Sequence, residues 1–134
     1  MSHLQAVSTN RAYTSASPLS QAIVFDGLLY CSGQVPVSPE TRAVPEGIEA
    51  QTRQVLSNLK AIVEAAGGKM ADVIKTTVFL VNSADLSGMN ETYEEFFGTN
   101  RPARTTVVVA ALARQEWLIE IEMVAALGAS PAEP

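Results

Sequence analysis

The feature that most constrains the fold of this chain is a long stretch of helical periodicity near its middle. From Gly47 onward, apolar residues return every three or four positions, and charged residues fall elsewhere on the helical wheel. The following Gly67-Gly68 favours the end of a helix, because glycine adopts positive φ without strain. We therefore predict an amphipathic helix of about 20 residues whose apolar side needs cover from other elements. Its apolar positions are Ile48, Val55, Leu56, Leu59, Ile62, Val63 and Ala66.

The segments on either side of this helix follow the period of two that is typical of strands. Two apolar runs, 22–25 and 28–32, flank Asp26-Gly27, a dipeptide that favours a hairpin turn of type I′. The second run is expected to stop at Gly33, and the prolines beyond it predict a loop over 35–45. Further strands are predicted over 3–8, 72–81, 105–111 and 117–124, the third of them covered on both faces.

A second helix is predicted between the strands over 72–81 and 105–111. Asp85 or Ser83 is placed to cap its start, and Gly98 is placed to end it. One face of this helix is apolar and is expected to join the core. That face consists of Leu86, Met89, Tyr93, Phe96 and Phe97.

The order of these elements, β-β-β-α-β-α-β-β, predicts a single α+β domain over residues 1–134. We expect one sheet of about six strands with both helices packed on one of its faces. Residues 1–16 are expected to be partly loose, and residues 128–134 to form a frayed tail. The second face of the sheet also needs cover. Because apolar residues make up 47% of the chain, self-association is the expected cover.

Composition excludes several classes of function. Cys31 is the only cysteine and His3 the only histidine, which leaves an intrachain disulfide, a Ser-His-Asp triad and a multi-histidine or multi-cysteine metal site without their parts. The 9 Lys and Arg residues against 14 Asp and Glu residues give a net charge of -5, which disfavours nucleic-acid binding. No apolar run reaches the roughly 18 residues of a membrane span, and the N-terminus lacks a secretory pattern. A cytoplasmic protein is therefore expected.

Three polar features stand out against this apolar frame. Arg104, with Arg101 close by, precedes a strand and is placed to bind a carboxylate through paired N–H donors, or else to pair with a helix carboxylate at the surface. Glu120 and Glu122 share one side of the last strand, either as reactive groups or as a solvated face. The segment 31–34 offers backbone N–H groups to a ligand, or is only a turn.

Several short motifs run through the chain in a fixed order. They are Ser20-Gln21-Ala22, Ser32-Gly33-Gln34-Val35-Pro36, Gln51-Thr52-Arg53-Gln54-Val55-Leu56, Asn58-Leu59, Lys75-Thr76-Thr77-Val78-Phe79-Leu80, Asn90, Tyr93, Phe96-Phe97, Arg101-Pro102-Ala103-Arg104 and Ile119-Glu120-Ile121-Glu122. In this order and spacing, from about Ser20 to Leu127, they resemble the RidA/YjgF family of reactive-intermediate (enamine/imine) deaminases.

The resemblance implies both a fold and a reaction. The fold is chorismate-mutase-like and assembled as a homotrimer, with three sites in the clefts between subunits. The reaction is that of a 2-iminobutanoate/2-iminopropanoate deaminase, in which 2-aminoacrylate and related imines are hydrolysed to 2-keto acids and ammonia. No cofactor and no metal are implied, and neither nucleic acid nor a membrane is an expected partner.

The resemblance also assigns residues to the site. Arg104 matches the arginine that binds the substrate's carboxylate, and Glu120 matches the glutamate that positions the attacking water. Both are implied to be catalytic. Ser32 and Asn90 match polar residues that line the pocket, and Gly33 lies beside them.

Two positions depart from the family pattern. Leu19 stands where the family usually has a tyrosine, which removes an aromatic wall from the pocket and bears on which substrate is accepted. Thr106 stands where a cysteine is frequent, and can serve if that position acts through its backbone. A pathway-specific deaminase, acting for example on aminomuconate, and a trimeric ligand-binding or regulatory protein without turnover are the alternatives. A ribonuclease or translation inhibitor is disfavoured by the acidic composition and the lack of histidines.

Overall fold

The structure is a computed structural model that describes residues 3–128. Six of its elements are strands of a single sheet, and two are α-helices, with short 3-10 turns at Met70–Asp72 and Ser83–Asp85. This confirms the predicted α+β class and the predicted order of elements. The elements are β1 (Gln5–Val7), β2 (Ala22–Phe25), β3 (Leu28–Gln34), α1 (Ile48–Ala65), β4 (Val73–Leu80), α2 (Leu86–Phe97), β5 (Ala103–Val108) and β6 (Ile119–Ala126).

The sheet has the order β1-β2-β3-β6-β4-β5. All neighbouring strands are antiparallel except β4 and β5, which are parallel and are joined through α2. The last strand of the chain, β6, therefore lies in the middle of the sheet, while β1 and β5 form its two edges. No helix in the part of the chain between residues 3 and 128 is long and apolar enough to cross a bilayer.

The predicted hairpin between β2 and β3 is confirmed. Asp26 and Gly27 both have positive φ, 54° and 76°, as a type I′ turn requires. The second strand continues past Gly33 to Gln34, so the predicted end at Gly33 was one residue short. The register of β3 with β6 shifts between Cys31 and Gln34. Over this stretch β3 has one residue more than the paired part of β6, as in a β-bulge.

The helix α1 begins directly after Gly47 and ends two residues before Gly67. The φ angles of these two glycines are 88° and 87°. Its buried side includes two amide side chains that hold neighbouring loops. Gln51 accepts the N–H of Leu118 at 2.7 Å and donates to the carbonyl of Glu116 at 2.9 Å. Asn58 donates to two carbonyls of the 35–37 segment. These bonds fix the loop that precedes β6 and the loop that follows β3.

The helix α2 ends at Gly98 as predicted, but its start differs from the prediction. The side chain of Asp85 makes no capping hydrogen bond. Ser83 instead lies in the preceding 3-10 turn, where Asn82 accepts the N–H of Ala84 at 3.0 Å. The turn between β4 and α2 thus uses Asn82 as its cap. Leu86, predicted on the core face, is 42% exposed because it is the first residue of the helix.

Both helices pack on one face of the sheet, as predicted. On β6 the residues Ile119, Ile121 and Met123 alternate inward and are at most 2% exposed. Met89 and Tyr93 of α2 belong to the same buried cluster. We call this side the helix face and the opposite side the open face.

The strand β5 contradicts the prediction of a strand covered on both faces. Its bounds, Ala103–Val108, are shifted from the predicted 105–111, and five of its six residues are exposed. Val107 and Val108 are 38% and 53% exposed. The reason is that β5 is an edge strand, so its apolar composition suits a surface that the single chain does not cover.

The N-terminal segment predicted to be partly loose contains β1, which pairs with β2. Further along, Ala12 is fully buried, and Gln21 donates to the carbonyls of Thr9 and Tyr13. The predicted frayed tail, 128–134, lies outside the described residues except for Gly128.

Candidate functional site

Arg104 lies on the edge strand β5, where its register partner on β4 is Thr76. Its guanidinium carbon is 4.9 Å from the centre of the Tyr93 ring, and one N–H contacts the sulfur of Met89 at 3.9 Å. Arg104 and Tyr93 border, with Asn90 of α2, a cleft of about 390 Å³. We call this cleft the arginine cleft. An arginine held on an aromatic face keeps its N–H donors available for a carboxylate.

The two arginines of the Arg-Pro-Ala-Arg motif are in different states. Arg101 pairs with the Glu94 carboxylate of α2 at 3.0 Å, and both side chains are largely exposed. Arg104 has no ion pair with any residue between 3 and 128. The interpretation of a surface arginine paired with a helix carboxylate therefore applies to Arg101, and Arg104 is the cation that an anionic ligand can reach.

Glu120 lies on β6 opposite Phe79 of β4, and its side chain is on the open face. Together with Leu19, Gly33 and Trp117 it lines a cleft of about 280 Å³. We call this the glutamate cleft. Leu19 is 52% exposed at this cleft, in keeping with a role in contacting a ligand's side chain.

Gly33 is the closest neighbour of the Glu120 carboxylate in the glutamate cleft. A β carbon added to Gly33 would overlap the Glu120 carboxylate oxygen and would come within 3.0 Å of its carboxyl carbon. Any other residue at this position would have to displace the Glu120 carboxylate, so glycine is what allows the carboxylate to lie here. The Gly33 position is thus explained by close packing rather than by backbone conformation.

The environment of Glu120 changes its acidity. Burial raises the pKa of the Glu120 carboxyl, and the negative charge of nearby Glu122 raises it further. Glu122 is exposed, whereas Glu120 is half-buried. A carboxyl with a raised pKa gives up and takes up protons closer to neutral pH, which suits proton transfer.

The arginine and glutamate clefts do not meet within one chain. Strand β4 lies between the strands that carry Arg104 and Glu120. Thr76 of β4 is the register partner of Arg104 on one side and of Met123 on the other. Met123 is three residues from Glu120 along β6. The two α carbons are therefore roughly 14 Å apart, from two strand spacings across and three residues along. Arg104 is on the helix face and Glu120 is on the open face, so the two residues border separate clefts.

The remaining residues assigned by the resemblance divide between the two sides. Asn90 borders the arginine cleft with Arg104. Thr106 lies two residues after Arg104 on the same face of β5, and its buried hydroxyl has no hydrogen-bond partner among residues 3–128. The hydroxyl of Ser32 donates to the Ser20 carbonyl at 2.6 Å. This bond connects β3 to the segment that carries Leu19. In the single chain Ser32 therefore helps to position Leu19, which lines the glutamate cleft.

Sequence reasoning assigned no site role to Tyr93 or Trp117. Tyr93 was predicted only as a core residue, although its spacing of three from Asn90 places both on one side of a helix. Trp117 borders the glutamate cleft, and its buried indole N–H has no hydrogen-bond partner within the described chain. The predicted strand over 117–124 included Trp117, whereas β6 begins at Ile119, so the alternation of the strand did not place Trp117 at the cleft.

Cys31 is a buried thiol on the helix face of β3. Burial raises its pKa to about 12, so the thiol stays protonated at neutral pH. A protonated, buried thiol is a weak nucleophile. The residue is a packing group of the core.

Comparison with known proteins gives consistent results. The sequence pattern of the family described as Endoribonuclease L-PSP matches residues 9–127. A 2-iminobutanoate/2-iminopropanoate deaminase of Salmonella typhimurium is 44% identical over 124 residues, which are 90% of this chain and 96% of that protein.

Solved structures agree with the fold as well. A protein of the conserved Rid family, YyfA from Yersinia pestis, superposes with a TM-score of 0.89 at 42% identity and covers 93% of this chain and 100% of that one. The structure of Escherichia coli TdcF with bound serine has a TM-score of 0.87 at 37% identity, covering 91% of this chain and 98% of that one.

Proposed function

Since the chain belongs to the RidA/YjgF family of Endoribonuclease L-PSP proteins, we propose that it is a 2-iminobutanoate/2-iminopropanoate deaminase. It hydrolyses reactive enamine and imine intermediates such as 2-aminoacrylate to 2-keto acids and ammonia. The observation that carries this proposal is the guanidinium of Arg104, which borders the arginine cleft and has no ion pair among residues 3–128, together with a half-buried carboxyl of raised pKa, Glu120. These are the two groups that the hydrolysis of an imino acid needs.

The reaction begins with binding of the substrate's carboxylate. Arg104 offers planar N–H donors that match the two oxygens of a carboxylate. The imine carbon next to that carboxylate is already electrophilic, so a water molecule is a sufficient nucleophile. Fixing the acid at one end therefore sets the position of the reacting carbon at the other.

Glu120 acts on the water and on the leaving nitrogen. As the water oxygen bonds to the imine carbon, the carbon–nitrogen double bond becomes a single bond and Glu120 accepts a proton from the water. Glu120 returns that proton to the nitrogen, which leaves a carbon that bears one hydroxyl and one amino group. As the carbon–nitrogen bond then breaks, the hydroxyl loses its proton to become the keto oxygen, and Glu120 passes this proton to the nitrogen, which leaves as ammonia. A raised pKa suits a carboxyl that must both accept and donate this proton.

The active site is proposed to form between the subunits of a homotrimer, where the arginine cleft of one chain meets the glutamate cleft of its neighbour. The separation of Arg104 and Glu120 on opposite faces of the sheet supports this arrangement. So do the exposed apolar side chains of the open face, where Phe25 and Tyr30 are 38% and 47% exposed, and the uncovered edge strand β5.

We expect light scattering in dilute buffer to give three times the chain mass of 14.2 kDa. The physical reason is that an apolar face and an apolar edge strand are stabilised when a second copy removes them from water. A stable monomer would contradict both the assembly and the shared site. A dimer would leave the shared site possible but would contradict the trimer.

Two alternative functions are compared with the proposed one. A pathway-specific deaminase differs from the proposed enzyme only in substrate, and Leu19, which lines the glutamate cleft in place of an aromatic residue, is the position on which that choice depends. A ribonuclease would need general acid/base groups and basic contacts, which a chain of net charge -5 with a single histidine supplies poorly. The proposal includes a small 2-imino or 2-keto acid as the ligand and a cytoplasmic location.

The proposed function is tested with an imine made in the assay itself. An amino acid oxidase generates 2-iminopropanoate, and the release of ammonia and keto acid is followed with and without the protein. We expect release to be faster than spontaneous hydrolysis, in proportion to protein concentration. Release at the spontaneous rate with both 2-iminopropanoate and 2-iminobutanoate would contradict the proposal.

A further inference from the structure

The two arginines of the Arg-Pro-Ala-Arg motif are held in chemically different ways. Arg101 is bound by the Glu94 carboxylate, which compensates its charge and occupies N–H donors. Arg104 lies over the Tyr93 ring with its guanidinium carbon 4.9 Å from the ring centre. An aromatic face attracts a cation through its quadrupole but takes no hydrogen bond from the in-plane N–H groups. Arg104 is therefore held in place while its charge, and its N–H donors other than the one on the Met89 sulfur, remain available.

Tyr93 is itself fixed in position. Its hydroxyl shares a buried hydrogen bond of 2.7 Å with the hydroxyl of Thr76, and its ring centre is 4.6 Å from that of Phe97. Thr76 is the register partner of Arg104 across β4 and β5. The ring is thus anchored to the strand beside the one that carries the arginine, so it cannot move away without breaking a buried hydrogen bond.

We propose that Tyr93 is the positioning residue for Arg104, and that its ring sets the affinity of the site for the substrate's carboxylate. This inference rests on the proposed function, because it takes Arg104 as the group that binds that carboxylate. A flexible arginine would lose rotamer freedom when it binds. The Tyr93 ring removes that cost in advance, since it restrains the guanidinium before the substrate arrives.

The acidity of Tyr93 agrees with this role. Burial raises the pKa of its phenol, although the Thr76 hydrogen bond and the Arg104 charge lower it in part. The phenol is therefore neutral at physiological pH. It does not become a phenolate that would pair with Arg104 and compete with the substrate.

The test compares leucine and phenylalanine at position 93. Tyr93→Leu removes the ring, and Tyr93→Phe keeps the ring but removes the hydroxyl. The Kd of 2-ketobutyrate is measured by titration calorimetry on each intact assembly. We expect Tyr93→Leu to raise this Kd roughly 2- to 12-fold, the range expected when one rotamer-rich side chain must be ordered on binding, and Tyr93→Phe to stay within about twofold of wild type.

A matched control separates positioning from stability. Ile62→Val changes a fully buried residue of α1 and lowers stability without touching either cleft. We expect the Kd of this variant to equal that of wild type. If Tyr93 were only a packing residue, Tyr93→Leu would behave like Ile62→Val, with a lower Tm and an unchanged Kd. That result would overturn the inference, and so would an equal loss of affinity in Tyr93→Phe and Tyr93→Leu.

A readout that does not depend on turnover distinguishes failure of this inference from failure of the proposed function. The ring current of Tyr93 is expected to shift the NMR resonance of the Arg104 Nε–H, and Tyr93→Leu is expected to remove that shift. If wild type deaminates imines but the resonance and the Kd do not change in Tyr93→Leu, only the inference fails. If wild type keeps the shift but neither binds 2-ketobutyrate nor deaminates imines, the proposed function fails and takes the inference with it.

Discussion

We expect Arg104→Ala to reduce imine deamination about 10²- to 10⁴-fold, because two hydrogen bonds between charged groups are lost when the substrate's carboxylate has no partner. The variant is expected to keep the oligomeric mass of wild type, since Arg104 is exposed and makes no ion pair among residues 3–128. Arg104→Lys should also lose most of the activity, because an ammonium group does not reproduce the planar pair of donors. The measurement is keto-acid release from 2-iminopropanoate generated in the assay.

Arg101→Ala is the matched control for this prediction. It removes a guanidinium three residues away whose charge is already compensated by Glu94. Arg101 borders the same cleft, but its charge and an N–H donor are already engaged by Glu94, so we expect turnover close to that of wild type. The loss of an exposed ion pair of this kind should also cost little stability. Near-normal turnover in Arg104→Lys, or a loss in Arg101→Ala as large as that in Arg104→Ala, would mean that Arg104 is not the carboxylate anchor.

Glu120→Gln is expected to lower turnover about 10²- to 10⁴-fold, the usual contribution of a group that transfers a proton. The amide keeps the shape of the side chain and a hydrogen-bonding carbonyl, but it cannot accept the proton of the attacking water. The Kd of a keto acid should change little, because Arg104 makes the contact with its carboxylate. Turnover and keto-acid binding are therefore measured on the same preparation.

The pH profile gives a second view of the same residue. A base with a raised pKa loses activity as the pH falls through that raised value, because the protonated carboxyl accepts no further proton. The acid limb of the wild-type profile should therefore lie above the ordinary glutamate value of about 4.3. Glu122→Gln, the matched control, should remain active and move this limb to lower pH, since the charge of Glu122 contributes to the raised pKa.

Equal turnover in wild type and Glu120→Gln, with keto-acid binding intact in both, would contradict the catalytic role. It would favour instead the trimeric ligand-binding protein that uses the same clefts without turnover. The comparison is informative because the two alternatives share Arg104 and differ in what Glu120 must do.

The parts of the fold that the sequence predicted are those with a strong local cause. The hairpin turn follows from Asp26-Gly27, which adopts positive φ at both positions, and the end of α1 follows from Gly67. The alternation of β6 correctly placed Glu120 and Glu122 on one side of the strand. Each of these signals lies within a few residues of the feature it specifies.

The features that the sequence did not predict depend on distant contacts. An apolar run such as β5 looks the same whether a helix or a second copy of the chain covers it, so its exposure could not be read from its composition. The placement of Arg104 and Glu120 on opposite faces depends on the register of β4 with both of its neighbours. Tyr93 has the spacing of a core residue, and its contact with Arg104 depends on how α2 packs beside β5.

The proposed active site joins Arg104 of one subunit and Glu120 of its neighbour. Mixed trimers of Arg104→Ala and Glu120→Gln chains test this claim most directly. Each mixed trimer has one interface at which an intact Arg104 meets an intact Glu120. An equimolar mixture with random exchange of subunits should therefore recover about a quarter of wild-type turnover. Turnover no greater than that of the two inactive variants measured separately, with subunit exchange verified by mass spectrometry, would contradict the shared site.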